Sequence, residues 1–307
     1  MTEHTLELFR ELIAPMRVKP GTKVKLKHDF DPAATDDDVE KEGADQLLAE
    51  GVELLAEYQA RLAAQDTYGL LVVVQAIDGG GKDGTIKHVM SGVNPQGVSV
   101  HSFKVPSAEE LDHDFLWRCA RRLPARGEIA IFNRSHYEEV LTVRVHPGIL
   151  AGQKLPKESR GKDVWERRYR AINDWERHLT DNGFRIVKLF LNISKEEQRK
   201  RFLARIDEPE KNWKFSAGDV KEREHWDDYQ AAFGDMLSET STEWAPWYMI
   251  PGDRKWFARV AASAVIVDAL AAIDPRYPEL DDAARAGLLE CRARLEGAAP
   301  KAGDTEA

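Results

Sequence analysis

Short runs of apolar residues recur along the chain between longer segments of helical pattern. The first, Leu70–Gln75 (LLVVVQ), is a continuous β-branched run that predicts a strand buried on both faces. Four similar runs are also predicted strands: Val98–Phe103, Glu128–Phe132, Arg185–Leu191 and Trp247–Ile250. Because helical sequence separates the five strands, the pattern predicts an α/β fold with a mostly parallel sheet covered on both sides.

The helical segments have recognisable features in the sequence. Between Val39 and Ala64, apolar residues keep the spacing of one helix face. Three pairs fit the capping box that starts a helix, and these are Ser107 with Glu110, Ser135 with Glu138, and Ser194 with Glu197. Ligands of parallel sheets bind beyond the carboxyl ends of the strands, so the chemistry is expected in the loops that follow them.

Composition places the chain among soluble globular proteins. It has 307 residues, of which 42% are apolar and 32% charged, and this length favours one large domain. Neither a secretory leader in Met1–Arg10 nor an apolar run near the ~20 residues of a membrane helix is visible, so no membrane contact is expected. Cys119 and Cys291 form no metal-spaced pair, which favours a reduced, cytoplasmic protein.

The net charge of −9 is unevenly distributed. Eleven acidic residues and one basic residue lie between Asp29 and Glu57, so the remainder of the chain is close to neutral. Within that remainder, Arg118–Arg134 and Lys154–Arg170 are basic stretches that could form a local groove for a polyanion, or could be solvated helix faces. The basic excess over a whole face that nucleic-acid binding needs is missing, so no nucleic-acid partner is expected.

A glycine-rich loop follows the first predicted strand. The string AIDGGGKDGT (Ala76–Thr85) leads from this strand into a helix, which is the context of a phosphate-binding loop. Gly79, Gly80 and Gly81 can turn amides toward an anion, and Lys82 can supply a charge to terminal phosphates. The strict P-loop pattern fails at Ala76 and at Asp83, which stand where a glycine and a metal-binding hydroxyl belong. Asp78, inside the loop, fits a magnesium ligand or an orienter of the attacking phosphate, although it could be an ordinary turn aspartate.

A second motif follows the third predicted strand, in IAIFNRSHYEEVL (Ile129–Leu141). Asn133 holds the position where a P-loop enzyme normally carries a metal-binding acid. Arg134 can neutralise charge on a transferring phosphoryl group, or could be a structural ion-pair arginine. Glu138 lies one turn further along the following helix.

At these residues the sequence resembles the polyphosphate kinase 2 family, and within it the class III subgroup. The matching strings, in the family's order, are AIDGGGKDGTIKHVMSGVNPQG (Ala76–Gly97), SFKVPS (Ser102–Ser107), HDFLWR (His113–Arg118), IFNRSHYEEVL (Ile131–Leu141), INDWER (Ile172–Arg177), KNWKFS (Lys211–Ser216) and APWYMIPGD (Ala245–Asp253). The resemblance implies a three-layer αβα P-loop kinase core related to thymidylate kinase, with a helical lid. It also implies magnesium-dependent phosphoryl transfer from inorganic polyphosphate to nucleoside mono- and diphosphates, with Mn²⁺ able to replace Mg²⁺.

The resemblance also suggests roles for individual residues. The expected catalytic residues are Asp78, Lys82 and Arg134. The expected nucleotide-binding residues are Asn133, Arg134 and Glu138. Asp78 is the expected metal ligand, and Glu138 is the candidate for a second metal ligand. Phosphate or polyphosphate contacts are expected from the loop and from a basic lining, comprising Gly79, Gly80, Gly81, Lys82, Asp83, Gly84, Lys104, Arg118 and Arg122. The family's loop is expected to carry Ala-Ala where this chain has Gly79-Gly80, a change expected to loosen the loop without removing a ligand.

The predicted organisation has three parts: an N-terminal arm (1–38), a single kinase domain (39–278) with its lid at about 144–170, and a C-terminal tail (279–307). Relatives suggest a homodimer or homotetramer. An ATP-dependent nucleoside monophosphate kinase shares the fold and remains an alternative, although the two basic stretches exceed what one triphosphate needs. A non-catalytic polyphosphate or nucleotide-binding protein is the other alternative, and the carboxylate of Asp78 disfavours it.

Overall fold

The computed structural model describes residues 2–37 and 39–297, and its centre is a five-stranded parallel sheet. The strand order is β2-β3-β1-β4-β5, and all four pairings are parallel. The strands are β1 (Gly69–Gln75), β2 (Val98–Ser102), β3 (Ile129–Asn133), β4 (Phe184–Asn192) and β5 (Trp247–Pro251). The five predicted strands are therefore confirmed, with ends that differ by at most one residue.

Helices cover both faces of the sheet. The α-helices are α1 (Thr2–Ile13), α2 (Leu26–Asp29), α3 (Ala44–Gln65), α4 (Lys82–Val89), α5 (Ala108–Leu111), α6 (Trp117–Ala120), α7 (Thr142–Val145), α8 (Pro147–Gly152), α9 (Val164–Asp181), α10 (Lys195–Asp207), α11 (Ala217–Glu222), α12 (Trp226–Thr240), α13 (Lys255–Ile273) and α14 (Asp282–Gly297). Short 3₁₀ helices join several of them, and two of these, His136–Val140 and Pro209–Lys214, lie near the carboxyl edge of the sheet.

Alternate side chains of β1 enter two separate apolar cores. Leu70, Val72 and Val74 pack with α1, α3, α4 and α13 on one face. Leu71 and Val73 pack with α9 and α12 on the other face. The strand reads as an unbroken apolar run because neither of its faces meets water. The three-layer αβα architecture is thus confirmed.

The helix α13 is long and apolar enough to cross a membrane by length and composition alone. Two thirds of its most apolar window (67%) is buried inside the protein. It packs into the same apolar cluster as α1 and α3. Burial in the protein core therefore accounts for the apolar composition of α13. No long uninterrupted apolar run marks this helix in the sequence, because Ser263 and Asp268 interrupt the pattern.

The two terminal segments differ from the expected arm and tail. Residues 2–13 form α1, whose Phe9 and Leu12 are buried in the core against α13. The amide of Val18 then donates to the carbonyl of Trp247 (2.9 Å) at the edge strand β5. At the other end, α14 occupies residues 282–297 of the predicted tail, and its side chains are exposed. Residues 298–307 lie outside the described part of the chain.

Candidate active site

The loop after β1 has a tight backbone that leads directly into α4. Gly79 and Gly81 adopt positive φ angles of 81° and 94°, and the amide of Gly80 donates to the carbonyl of Ile77 (2.9 Å). Lys82 is the first residue of α4, and its Nζ donates to the carbonyl of Ala76 (2.9 Å). Burial, with a further contribution from nearby Arg134, lowers the pKa of Lys82. An anionic phosphate bound at the loop would favour the charged form of this lysine again.

Gly80 leaves no room for a side chain. A Cβ atom there would lie 2.4 Å from the Cβ of Ala76 and 2.8 Å from the carbonyl oxygen of Ile77. An alanine at Gly79 would have to adopt a positive φ angle, which is strained for a residue with a Cβ. The sequence had suggested only that these glycines loosen the loop. In the structure, the backbone conformation of the loop requires them.

Two side chains of α10 hold the outer rim of the loop. Gln198 Nε2 donates to the carbonyl of Asp78 (2.8 Å), and Arg201 Nη1 donates to the carbonyl of Gly79 (3.0 Å). Arg201 Nη2 also donates to Gly252 beyond β5 (2.6 Å). By occupying these carbonyls, α10 helps to fix the orientation of the loop. Neither Gln198 nor Arg201 is among the site residues expected from the sequence.

The second motif meets the loop at the end of β3. The amide of Arg134 donates to the carbonyl of Val74 on β1 (3.1 Å), and Asn133 Nδ2 donates to Asp83 Oδ1 (2.6 Å). Arg134 has a φ angle of 61°, in the left-handed region. Asn133 faces the loop, and it does not line the cavity proposed below for the nucleotide.

Arg134 lies between the two carboxylates that the sequence proposes as metal ligands. Its Nη2 is hydrogen-bonded to Asp78 Oδ1, and its Nη1 is 3.8 Å from Glu138 Oε2. Glu138 also accepts a hydrogen bond from Thr142 Oγ1 (2.7 Å). Within the described residues no group of three His, Cys, Asp or Glu side chains could hold a metal by itself. Two carboxylates beside a phosphate site fit Mg²⁺, which usually completes its coordination with water and substrate phosphates.

A cleft of about 1030 Å³ extends from the loop across the carboxyl edge of the sheet. Residues 78–84 form its floor. Eight basic side chains line it, namely Lys82, Lys104, Arg134, Arg201, Arg205, Lys211, Lys214 and Lys255. Only Asp78, Asp83 and Asp219 oppose them, so the lining is strongly electropositive.

The two arginines predicted beside Lys104 do not line this cleft. Arg118 donates to the carbonyl of Lys104 (2.8 Å), lies 3.4 Å from Glu110 and stacks over the ring of Phe103. It therefore supports the loop that carries Lys104. Arg122 is exposed and lies outside the lining. The sequence missed five of the lining bases, which come from α10, from the 3₁₀ helix after it and from the start of α13.

A second cavity of about 380 Å³ adjoins the first. Glu138 and Thr142 lie at its edge, and Leu141, Ile149 and Phe233 give it an apolar part. Asp78, Arg134 and Asp219 line both cavities and form the wall between them.

Glu222 is the hydrogen-bonding centre of this smaller cavity. Its Oε1 accepts from Tyr229 Oη and lies the same distance, 2.5 Å, from His146 Nε2. Burial disfavours the charged carboxylate, but these hydrogen bonds outweigh it and lower the pKa of Glu222. The cavity thus joins an apolar surface to a fixed acceptor, as a site for a small polar ligand does.

The segment 208–225 contributes to both cavities. Its 3₁₀ helix supplies Lys211 and Lys214 to the cleft, and α11 supplies Asp219 to both and Glu222 to the smaller cavity. The predicted lid, 144–170, contributes only His146 and Ile149, both to the smaller cavity. In this structure the segment 208–225 therefore contributes more to the two cavities than the predicted lid does.

This parallel sheet, with a glycine-lysine loop after its central strand and a basic cleft above it, defines a phosphotransferase of the P-loop kinase class. The family model for polyphosphate kinase 2 matches residues 37–278. The chain belongs to the polyphosphate kinase 2 family.

Named relatives agree with this assignment. The chain is 55% identical over 256 residues to an ADP-polyphosphate phosphotransferase of Rhodopseudomonas palustris, covering 83% of this chain and 89% of the relative. It is 44% identical over 278 residues to an AMP/ADP-polyphosphate phosphotransferase of Meiothermus ruber, covering 89% of this chain and 98% of the relative. A crystal structure of polyphosphate kinase 2 from Arthrobacter aurescens TC1 superposes with a TM-score of 0.79 at 41% identity, covering 90% of this chain and 95% of that chain.

Proposed function

We propose that this protein transfers phosphoryl groups from inorganic polyphosphate to nucleoside mono- and diphosphates, forming ATP from AMP and ADP. The observation that carries the proposal is the pair of adjoining cavities. One is lined by eight bases, and the other has an apolar part and a fixed acceptor. They meet at Asp78 and Arg134, where a donor phosphate and an acceptor phosphate would face each other.

Polyphosphate would lie in the cleft, with its terminal phosphoryl group over the loop. Lys82 and Arg134 would neutralise the oxygens between donor and acceptor, since phosphoryl transfer depends mainly on positioning and charge. A terminal phosphate oxygen of the nucleotide attacks the phosphorus in line, a new P–O bond forms, and the bond to the remaining polyphosphate breaks. That oxygen is already anionic at neutral pH, so the step requires no general base.

Asp78 and Glu138 would hold Mg²⁺, or Mn²⁺ in its place, and the ion would neutralise phosphate charge during the transfer. This assignment is supported by the position of both carboxylates beside Arg134 and the phosphate loop.

The choice of acceptor is the finer part of the proposal. The names of both relatives include ADP, but only that of Meiothermus ruber includes AMP. Use of both acceptors agrees with the class III motif strings, and the smaller cavity offers a site for either.

The test is an assay of purified protein with long-chain polyphosphate, Mg²⁺ and either AMP or ADP, without added ATP. Products are separated by chromatography. Formation of ATP from both acceptors supports the whole proposal. Formation of ATP from ADP alone would show that nucleoside monophosphates are not acceptors. In a parallel reaction with ATP in place of polyphosphate, transfer to a nucleoside monophosphate, with none from polyphosphate in the first assay, would instead show a nucleoside monophosphate kinase. Binding of polyphosphate without turnover would show a non-catalytic binder.

A further inference from the structure

A fully buried ionic network lies behind the second motif. Lys188 on β4, Glu176 on α9 and the ring of Tyr137 are all at 0% exposure. Lys188 Nζ donates to Glu176 Oε2 (2.6 Å), to Tyr137 Oη (2.9 Å) and to the carbonyl of Thr240 (2.7 Å). All three protons of the ammonium group are therefore used.

Glu176 is equally well partnered. Its Oε1 accepts a hydrogen bond from Tyr137 Oη (2.7 Å) and lies 3.4 Å from His136 Nε2. Tyr137 thus donates to the carboxylate and accepts from the ammonium group, so its hydroxyl is held from both sides. The network joins β4, α9, the end of α12 and the turn after β3.

Neither cavity is lined by Lys188, Glu176 or Tyr137. Removing two charges from water is costly, and a buried ion pair is often no more stabilising than apolar residues of the same size. Its presence therefore calls for a role other than simple stabilisation.

The network lies next to the turn that carries Arg134. Tyr137 lies three residues after Arg134, whose φ angle of 61° is unfavourable for a side chain with a Cβ. Such a conformation persists only when its surroundings over-determine it. Lys188 also pairs in the sheet with Val73, next to the Val74 whose carbonyl accepts from the Arg134 amide. The network thus contacts the turn through Tyr137. Its Lys188 lies on β4, next to the strand β1 whose Val74 accepts the hydrogen bond from the Arg134 amide.

We propose that Lys188, Glu176 and Tyr137 are positioning residues for phosphoryl transfer, which hold Arg134 in the wall between the two cavities. This inference rests on the proposed function, because its effect is read as turnover. Loss of the network would displace the guanidinium group slightly but leave the other lining residues of both cavities in place. A small misplacement at a reacting centre can cost up to about 100-fold in rate.

The first test replaces both charges together, as Lys188→Met with Glu176→Met, because a single replacement would leave an unpaired buried charge. We expect a folded protein whose kcat falls by about tenfold to 100-fold, with KM for polyphosphate and ADP within about twofold. Ile172→Ala, another fully buried change on α9, is the control for lost stability. It should lower the melting temperature without this fall in kcat.

A double-mutant cycle with Arg134→Ala identifies the route of the effect. If the network acts through Arg134, the paired replacement causes no further loss of kcat in that background. An unchanged kcat in the folded paired variant, a comparable fall in Ile172→Ala, or full additivity with Arg134→Ala would overturn the inference.

Tyr137→Phe is the second variant, because it removes the hydroxyl link and leaves the ion pair in place. A severalfold loss of kcat at a nearly unchanged melting temperature is expected, and an unchanged kcat refutes the positioning role even if the paired variant does not fold. Absence of polyphosphate-dependent turnover in the wild-type protein would refute the proposed function instead.

Discussion

Raising the salt concentration should weaken polyphosphate binding far more than nucleotide binding. Among the eight bases of the cleft, Arg134, Arg201, Arg205 and Lys211 each have a carboxylate partner. Within the described residues, the other four have no carboxylate at ion-pair distance; these are Lys82, Lys104, Lys214 and Lys255. Such lysines are the groups most ready to neutralise phosphates.

The magnitude follows from counterion release. For single-stranded nucleic acids, the logarithm of affinity falls with the logarithm of salt concentration by about 0.7 for each neutralised phosphate, and we apply the same slope to polyphosphate as a flexible single-chain polyanion. Four lysines give a slope of about 2.8, so raising KCl from about 50 to about 200 mM should raise KM for polyphosphate roughly 50-fold. The bases of the smaller cavity are Arg134, paired with Asp78, and His146, so KM for ADP should rise only about threefold.

The assay measures initial rates at several KCl concentrations, with free Mg²⁺ held constant. Lys214→Gln and Lys255→Gln should each reduce the polyphosphate slope by about 0.7. Lys87→Gln, an exposed change on α4 outside both cavities, is the matched control and should leave the slope unchanged. Equal salt dependence of the two KM values would refute the assignment of polyphosphate to the basic cleft.

Three further outcomes are expected from the geometry of the loop and the wall. Lys82→Ala or Asp78→Asn should lower turnover by at least ~100-fold in the same assay, since each removes one well-placed charge. Gly80→Ala should lower both the melting temperature and kcat, because its Cβ would overlap Ala76 at a cost of about 1–3 kcal/mol. Arg134→Gln should raise the affinity of the substrate-free protein for Mn²⁺, followed by electron paramagnetic resonance, at least about fivefold, because the guanidinium group bonds to Asp78.

Matched controls sharpen the last two outcomes. Gly43→Ala adds a Cβ that meets no atom within 4 Å, so it should change neither stability nor rate appreciably, and an equal effect there would contradict the steric explanation for Gly80. Lys104→Gln removes the same charge from the cleft without touching Asp78. An equal gain in Mn²⁺ affinity in that variant would show a general electrostatic effect and not competition for the carboxylate.

Local sequence predicted the sheet and the phosphate loop well. The apolar residues of β1 belong to one short run, and the loop's glycines and Lys82 follow it within seven residues. Interactions of short range in sequence decide both features, so the pattern could reveal them. Of the three predicted capping boxes, only that of Ser107 and Glu110 is complete in the structure, and the one at Ser194 is altered by a residue distant in sequence. The amide of Ser194 donates to Asp253 and not to Glu197.

The basic lining was harder to predict because charge alone does not show which way a side chain points. In the predicted lid, Arg160 donates to the carbonyls of Ala151, Gln153 and Leu155, so its charge is used locally. Arg201 instead reaches Gly79, 122 positions earlier in the chain. Only the strand order, which puts β4 beside β1, brings α10 to the phosphate loop. A search of the helix after β4 for bases would have found Arg201 and Arg205.

The wall formed by Asp78, Arg134 and Asp219 has a consequence for redesign of the enzyme. Because these residues border both cavities, a substitution among them changes donor and acceptor affinity together, and the coupling is reciprocal. Leu141, Ile149 and Phe233 border the smaller cavity alone. Under the proposed placement of the nucleotide in the smaller cavity, substitutions at these apolar positions should change the preference among nucleobases and leave the affinity for polyphosphate unchanged.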